Sequence, residues 1–358
     1  MRKLTWYIAK KYCLFTLFSL VGFWTIFVTV NLIETGKKFI QNDTPVDIIL
    51  DYYIHFTPQI ISLSVPVACL LGALFTMGGL SKHNEVTAMR ACGISVLRII
   101  APVMTIAFLC SIGLFFFTEI IVPENNRKKD EIREVYVKGR RALDEIRERH
   151  LTIQVGNHKT LYISNFDFKK NIGFKAYVLQ VKDDKALYRI DAQQVAYKDS
   201  AWVFSNGKIR YFTEEGTKFE TFTKTDTIQI GVNPDDLILS RYRPETLGYF
   251  ELESFIDRLK GLGANFKKWE VEKFHKLSFP FAVVIVTLVG VSLGTERHKS
   301  GAARSFIFSF FFLFVYYGVF KFTKIAGVTG DLSEIVSAWI ANVIFFIFGL
   351  GFYQKAKR

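Results

Sequence analysis

The chain has little cysteine, and none of it lies in the long stretch 123–272. The four cysteines are Cys13, Cys69, Cys92 and Cys110. A segment without cysteine has neither a disulfide framework nor a thiolate zinc site. A domain folded from 123–272 must therefore be stabilised by its own core.

The motifs of common enzymes are also missing. The chain contains no glycine-rich phosphate loop, no HExxH or GxSxG motif and no Cys/His cluster at metal-ligand spacing. Its histidines are scattered: His55, His83, His150, His158, His275 and His298. The sequence therefore predicts no catalytic residue, no metal site and no cofactor bound by this chain. If ATP drives the protein, a separate subunit must bind it.

Six stretches lack Asp, Glu, Lys and Arg for about the 17–25 residues that a transmembrane helix requires. They are 13–33, 52–81, 99–118, 277–295, 305–320 and 335–354. The first is longer than the apolar core of a signal peptide, and no small-residue cleavage site follows it. We therefore expect a polytopic membrane protein with six transmembrane helices.

Basic residues are concentrated beside alternate ends of these stretches. They flank the first stretch on its N-terminal side, the loop at 81–98, the loop at 296–304 and the C-terminal tail. The positive-inside rule places these segments in the cytoplasm, with both termini, and 123–272 on the opposite side. That segment has 27 basic and 24 acidic residues, so most of the net charge of +13 surrounds the membrane parts. Such a distribution indicates binding to an anionic membrane leaflet and not to nucleic acid.

The pattern of 123–272 changes twice. Residues 123–149 are highly charged and helical in pattern, which predicts a solvated stalk in preference to a binding helix. Residues 150–240 form short β-branched and aromatic runs separated by turn residues, which predicts seven or eight strands in an antiparallel sandwich or open roll. The Asn-Gly pair in "FSNGKI" predicts a hairpin turn. Residues 241–272 are predicted to form a helical connector, broken at "GLGAN".

A short polar insert, "SKHNEVTAMRACGIS" (81–95), separates the second and third apolar stretches. Asn84 is a candidate helix cap with Glu85 in the first turn. Val86, Ala88, Met89 and Cys92 recur at helical spacing, and Gly93 is a candidate left-handed stop. A helix of about nine residues is unstable by itself in water, so it must pack on something. A tight turn, packing on the membrane surface and a partner site are the three open interpretations.

The segment "PVACLLGALFTMGGLSKHNEVTAMRACGISVLRIIAP" (66–102) resembles the signature region of the lipopolysaccharide-export permeases LptF and LptG. In that family a Glu-containing cytoplasmic helix precedes a Met-x-Ala-x-Gly pattern, matched here by Met89, Ala91 and Gly93. A second segment, "EVEKFHKLSFPFAVVIVTLVGVSLG" (270–294), is similar to the family's entry into its fourth span. The arrangement of three spans, a β domain and three spans also agrees with the family.

The resemblance implies a non-catalytic permease subunit in the bacterial inner membrane, with a periplasmic jellyroll-like β domain. Its implied partners are a cytoplasmic ATPase pair that uses ATP and Mg²⁺, a second six-span permease and a periplasmic jellyroll bridge protein. Residues 84–93 would be the coupling helix that contacts the ATPase. The coupling residues that the resemblance implies are Glu85, Val86, Met89, Arg90, Ala91 and Gly93.

The family's substrate, lipopolysaccharide, carries several phosphates, so cations are expected near the outer ends of the spans. Lys37 and Lys38 resemble a basic pair in LptG, which favours the LptG-like member. Arg133 lies where the family can place a cation, and Glu119 is a carboxylate near the outer end of the third span. Anchoring at the membrane interface is an equal alternative for the three cations.

Other classes of protein remain to be compared with this interpretation. One is the permease of another ATP-coupled lipid or lipoprotein exporter, and six spans disfavour it. Another is a membrane-anchored structural or signalling protein whose β domain binds a partner, which leaves Glu85 and Gly93 without a role. An intramembrane enzyme would have to use His55 and Glu119, which lie on different helices.

Overall fold

The computed structural model describes residues 2–137, 147–155, 159–168, 170–182, 185–198, 201–213, 216–224, 233–234, 244–261, 265–295 and 302–357. The chain divides into two compact units. Met1–Arg133 and Lys267–Arg358 form a helical unit, and Glu134–Phe266 forms a β unit.

The helical unit begins with α1 (Arg2–Gln41), α2 (Val46–Lys82) and the short α3 (Glu85–Ala91). Then follow α4 (Val96–Phe116), a π-helical turn (Phe117–Ile121) and α5 (Val122–Ile132). A second π-helical turn, Arg133–Val137, continues α5. The β unit contributes α6 (Tyr249–Gly261), and the helical unit resumes with α7 (Lys267–Ser278), α8 (Phe281–Thr295), α9 (Ala302–Thr329) and α10 (Glu334–Lys357).

Five helices of the described residues are long and apolar enough to cross a membrane. They are α1, α2, the continuous stretch Val96–Val137, α9 and α10. The pair α7 and α8 also qualifies, but it is bent by 44°, so the number of spans is five or six. Each predicted apolar stretch falls on one of these segments, which confirms a polytopic helical membrane protein.

The predicted fourth stretch, 277–295, is not one continuous helix. It breaks between Ser278 and Phe281, at Pro280, which lacks the N–H that a helix needs. The break leaves backbone carbonyls without their helical hydrogen-bond donors, and side chains from other helices donate to them instead. Asn342 Nδ2 donates to the Ser278 carbonyl at 2.9 Å, and Ser111 Oγ donates to the Pro280 carbonyl at 2.7 Å. The bend is therefore stabilised from α4 and α10.

The centre of the helical unit is the contact between α2 and α8. Nearly all of α8 is buried, and α2 is buried along Val67–Leu74 and beyond. The two backbones approach closely because α8 presents Gly290 and Gly294 to α2. In contrast, α1 keeps an exposed apolar face that includes Phe18 and Ile33.

The β unit contains one six-stranded antiparallel sheet in which the strand order follows the chain. Its strands are β1 (Arg147–Val155), β2 (Lys159–Asp167), β3 (Ile172–Lys182), β4 (Lys185–Lys198), β5 (Ala201–Thr213) and β6 (Gly216–Lys224). The core holds the fully buried rings of Phe166, Trp202 and Phe204. This sheet confirms the inserted β domain. Any further strand of the predicted region 150–240 would fall on 225–240, which apart from 233–234 lies outside the described residues.

The hairpin predicted at Asn206-Gly207 is wrong. Asn206 is left-handed, with φ of 52°, but β5 continues through both residues. Gly207 pairs with Ala192 on β4 and with Phe222 on β6. Since Ser205 and Gly207, on either side of Asn206, pair with both neighbouring strands, tertiary pairing overrides the local turn preference, and the strand does not reverse.

Candidate functional site

The short helix α3 lies at one end of the helical unit, here called the α3 end. The first turns of α1 and the end of α8 lie there too, since Glu85 contacts Tyr7, and Ser81 Oγ donates to the Thr295 carbonyl at 3.3 Å. The opposite end, here called the far end, carries the last turn of α1, the start of α2, and α5.

The start of α3 differs from the prediction. Asn84 is left-handed, with φ of 57°, and its side chain makes no capping hydrogen bond to α3. Its N–H donates to the Ser81 carbonyl at 3.1 Å, which closes the last turn of α2. Asparagine adopts the left-handed conformation more easily than most residues. It therefore terminates α2 and is not the side-chain cap of α3.

The end of α3 agrees with the prediction. Gly93 is left-handed, with φ of 80°. Its N–H donates to the Arg90 carbonyl at 2.9 Å, and the Ile94 N–H donates to the Met89 carbonyl at 3.0 Å. These two bonds define a Schellman stop, and Met89 and Ile94 both pack against the same buried cluster. Gly93 therefore fixes the helix end and turns the chain into α4.

One side of α3 is buried and the other is exposed. Val86 is 4% exposed and belongs to the buried cluster with Val96 and Ile99 of α4, and Met89 is half-buried against it. The apolar stripe predicted for α3 is only half correct, because Ala88 and Cys92 are exposed. Residues three apart share the inward face, while 88 and 92 are rotated away from it. The outer face consists of Thr87, Ala88, Arg90, Ala91 and Cys92.

Glu85 is bound within its own chain. Tyr7 Oη donates to Glu85 Oε1 at 3.3 Å, and Lys11 Nζ lies 3.6 Å from the same oxygen. Lys11 Nζ also lies 4.3 Å from the centre of the Tyr7 ring. About one third of each side chain of the ion pair is exposed. The sequence predicted no role for Tyr7. Lys11 was only one of the basic residues on the N-terminal side of the first apolar stretch that set the predicted membrane orientation, since neither residue lies near Glu85 in the chain.

The predicted substrate residues lie at the far end. Lys37 and Lys38 are exposed on the last turns of α1. Glu119 is half-buried in the π-helical turn after α4. Arg133 is half-buried, and its buried Nε has no hydrogen-bond partner within the part of the chain that the structure describes.

The predicted solvated stalk is instead packed on one side. Asn126 and Lys129 of α5 are buried against α2. Lys129 Nζ donates to Gln59 Oε1 at 2.7 Å and to Asn126 Oδ1 at 3.2 Å, and Asp130 Oδ1 lies 3.5 Å away. Burial of an ammonium group is tolerated when acceptors surround it. The predicted range 123–149 also includes the start of β1, while 138–146 lies outside the described residues.

The same contact accounts for His55. Its Nδ1 lies 2.8 Å from Asn125 Oδ1, and its Nε2 lies 3.3 Å from Asp51 Oδ1. His55 therefore helps to join α2 to α5. Nothing in the sequence pairs these positions, because they are 70 residues apart.

A partly buried ion pair joins α7 to α9. Lys324 Nζ lies 2.5 Å from Glu272 Oε2. His275 is 3% exposed, and its ring meets Phe320 edge-on at 4.8 Å. Across the residues described, no three His, Cys, Asp or Glu side chains are grouped as metal ligands.

Comparison with known proteins extends over almost the whole chain. The family model for "Lipopolysaccharide export system permease LptF/LptG" matches residues 6–355. The LptG protein of Haemophilus influenzae is 23% identical over 312 residues, covering 81% of each chain. The LptG protein of Escherichia coli K12 is 22% identical, covering 84% of this chain and 83% of the relative. The LptF protein of the same strain is 20% identical, covering 89% and 86%.

Proposed function

Because the chain belongs to the lipopolysaccharide export system permease family LptF/LptG, we propose that it is the permease subunit of an ATP-driven lipopolysaccharide exporter. It is an inner-membrane protein and not itself an enzyme. In the proposed role it takes lipopolysaccharide from the inner membrane and passes it to a periplasmic bridge protein. ATP and Mg²⁺ are used by a separate cytoplasmic ATPase. Relatives named LptF and LptG match at 20–23% identity, so the assignment is to the family as a whole.

The observation that carries this proposal is that α3 has one face packed into the helix bundle and one face exposed. Val86 and Met89 connect its inner face to the buried cluster of α1, α2, α4 and α8. Its outer face, Thr87, Ala88, Arg90, Ala91 and Cys92, is exposed. An ATPase bound to the outer face would move the inner face, and that movement would enter the helix bundle. Work reaches the spans only if the nucleotide states contact α3 differently.

The role of each predicted coupling residue follows from its position. Val86 and Met89 transmit force into the bundle and do not contact the ATPase, since they face inward. Arg90 and Ala91 lie on the proposed ATPase surface, and Gly93 sets the orientation of the helix. The proposed topology places α3 and both termini in the cytoplasm and the β unit in the periplasm, in agreement with the distribution of basic residues.

The other proposed partners are a second six-span permease and the jellyroll bridge. The exposed apolar side of α1 offers a helix surface to the second permease. The described sheet ends in β1 and β6, and pairing of a strand edge with the bridge would extend the sheet. Such pairing would continue the β structure from the permease into the bridge.

The assembly itself provides the test of this function. The chain should co-purify with an ATPase dimer and a second permease, and mass measurement in detergent should give their sum. Reconstituted in proteoliposomes with lipopolysaccharide and the bridge protein, this assembly should release the lipid only when ATP is hydrolysed. A chain that purifies without an ATPase, or a release that does not depend on ATP, would exclude the proposal.

A second prediction concerns Lys37 and Lys38 as substrate contacts. Replacing both with glutamate should reduce photo-crosslinking of the assembly to lipopolysaccharide by about tenfold, since two attractions to phosphate become repulsions worth roughly 1.4 kcal/mol together. Lys128→Glu is the control, because Lys128 is an exposed cation at the same end that already pairs with Glu124 at 3.2 Å. If the variant with both Lys37 and Lys38 replaced crosslinked as much lipopolysaccharide as the Lys128→Glu control, the lysine pair would have an anchoring role only.

A further inference from the structure

The contact between Glu85, Tyr7 and Lys11 joins α3 to a helix to which it is not connected in sequence. The backbone connects α3 to α2 and α4, so these two spans would be expected to receive its movement. Yet the only acidic residue of α3 binds α1 through both a hydrogen bond and an ion pair. Ile8 and Tyr12 of α1 belong to the same buried cluster as Val86, so α1 and α3 also share an apolar cluster.

The helices that α3 can move differ in whether proline or a π-helical turn interrupts them. Pro58 and Pro66 interrupt the hydrogen bonding of α2. Pro102 and the π-helical turn do the same along the stretch that begins with α4. Proline and π-helical turns are where helices bend. In contrast, α1 is one uninterrupted α-helix of 40 residues without proline.

The length of α1 lets it reach from one end of the unit to the other. Lys11 and Lys37 are 26 positions apart on this helix, which corresponds to about 39 Å at roughly 1.5 Å per residue. The hydrocarbon core of a bilayer is only about 30 Å thick. A displacement of α1 at Lys11 therefore reaches Lys37 and Lys38 on the other side of the membrane.

We propose that Glu85 couples α3 to α1 through Tyr7 and Lys11. In this proposal α1 moves as one rigid helix and carries the movement of α3 to the far end, where Lys37 and Lys38 lie. The inference rests on the proposed function, because it explains how an ATPase on α3 affects a lipid at the far end. Tyr7 and Lys11 are positioning residues in this mechanism. They act on the lipid through α1 and contact neither ATP nor lipid.

The test uses the complete assembly in proteoliposomes and measures lipopolysaccharide released per ATP hydrolysed. Lys11→Gln should lower this ratio by about two- to fivefold, the range of an ion pair that is about one third exposed. Tyr7→Phe, which removes one hydroxyl group, should lower it less, and Lys11→Arg should retain it. Lys10→Gln is the matched control, because Lys10 is an exposed neighbour on another face of α1. ATP hydrolysis and the amount of co-purified ATPase should stay unchanged in all four variants.

A second measurement examines the movement of α1 directly. A photo-reactive residue in place of Ile40, which is exposed beside Lys37 and Lys38, should crosslink lipopolysaccharide with a yield that changes on ATP addition. Lys11→Gln should reduce that change, whereas Lys10→Gln should leave it intact. The inference is overturned if Lys11→Gln and Tyr7→Phe both retain the normal release ratio and crosslinking change. Loss of the ATPase from Lys11→Gln would also overturn it, by assigning Lys11 to docking. Failure of the unmodified assembly to release lipid would contradict the proposed function instead.

Discussion

Replacing Glu85 with alanine is expected to abolish ATP-coupled release of lipopolysaccharide while the chain still inserts into the membrane. Glu85 is the only acidic side chain of α3, and its carboxylate accepts from Tyr7 and pairs with Lys11. Alanine keeps the helix, because its helix propensity is higher than that of glutamate. Val86 and Gly93, which fix the buried face and the end of α3, are not changed. The loss therefore falls on transmission and not on folding.

Release of lipopolysaccharide from proteoliposomes, measured with ATP hydrolysis on the same sample, checks this expectation. Glu34→Ala is the control, since Glu34 is an exposed carboxylate near the opposite end of α1. The variant assembly should show hydrolysis without release, and Glu34→Ala should behave as the unmodified protein. Normal release from Glu85→Ala would remove Glu85 from the mechanism and with it the proposed use of α3.

The sequence predicted the parts of this site that depend on neighbouring residues. A glycine following an amphipathic segment predicted the left-handed stop at Gly93, because both the helix and its end are local features. The apolar stretches predicted the spans for the same reason, since their composition alone decides whether they can enter lipid. The ion pair of Glu85 with Lys11 was not predictable, because 74 positions separate the two residues and α1 shows no pattern that selects one lysine.

Local patterns also failed where tertiary contacts changed their meaning. The charges of α5 predicted a solvated helix, but Lys129 is buried because Gln59 of α2 supplies an acceptor. The Asn206-Gly207 pair predicted a turn, but Ser205 and Gly207 pair with the strands on both sides of β5, so the strand continues through it. In each case the deciding partner lies far away in the sequence. Which lysine is buried and which Asn-Gly pair turns is therefore set by packing.

The second large effect is expected from the contact between α2 and α8. A Cβ atom at Gly290 would lie 2.7 Å from the Leu70 carbonyl oxygen and 3.0 Å from Ala73 Cβ. The carbonyl belongs to the backbone of α2 and cannot rotate away, so the helices would have to separate. Gly290→Ala should therefore lower the free energy of unfolding of the detergent-purified chain by about 1–3 kcal/mol, as in other overpacked cores, and with it the melting temperature. Gly290→Leu should prevent the chain from accumulating in folded form.

Gly113 of α4 supplies the matched control for this prediction, because no atom lies within 4 Å of a Cβ placed there. Gly113→Ala and Gly290→Ala gain the same helix propensity, roughly 1 kcal/mol, so this contribution cancels between them. The difference in their melting temperatures then measures the α2–α8 contact alone. Equal melting temperatures would mean that α8 can move away from α2 at little cost. A movable α8 would oppose the proposed mechanism, because Val86 packs into a cluster that includes residues of both α2 and α8, and force entering there needs that cluster to stay together.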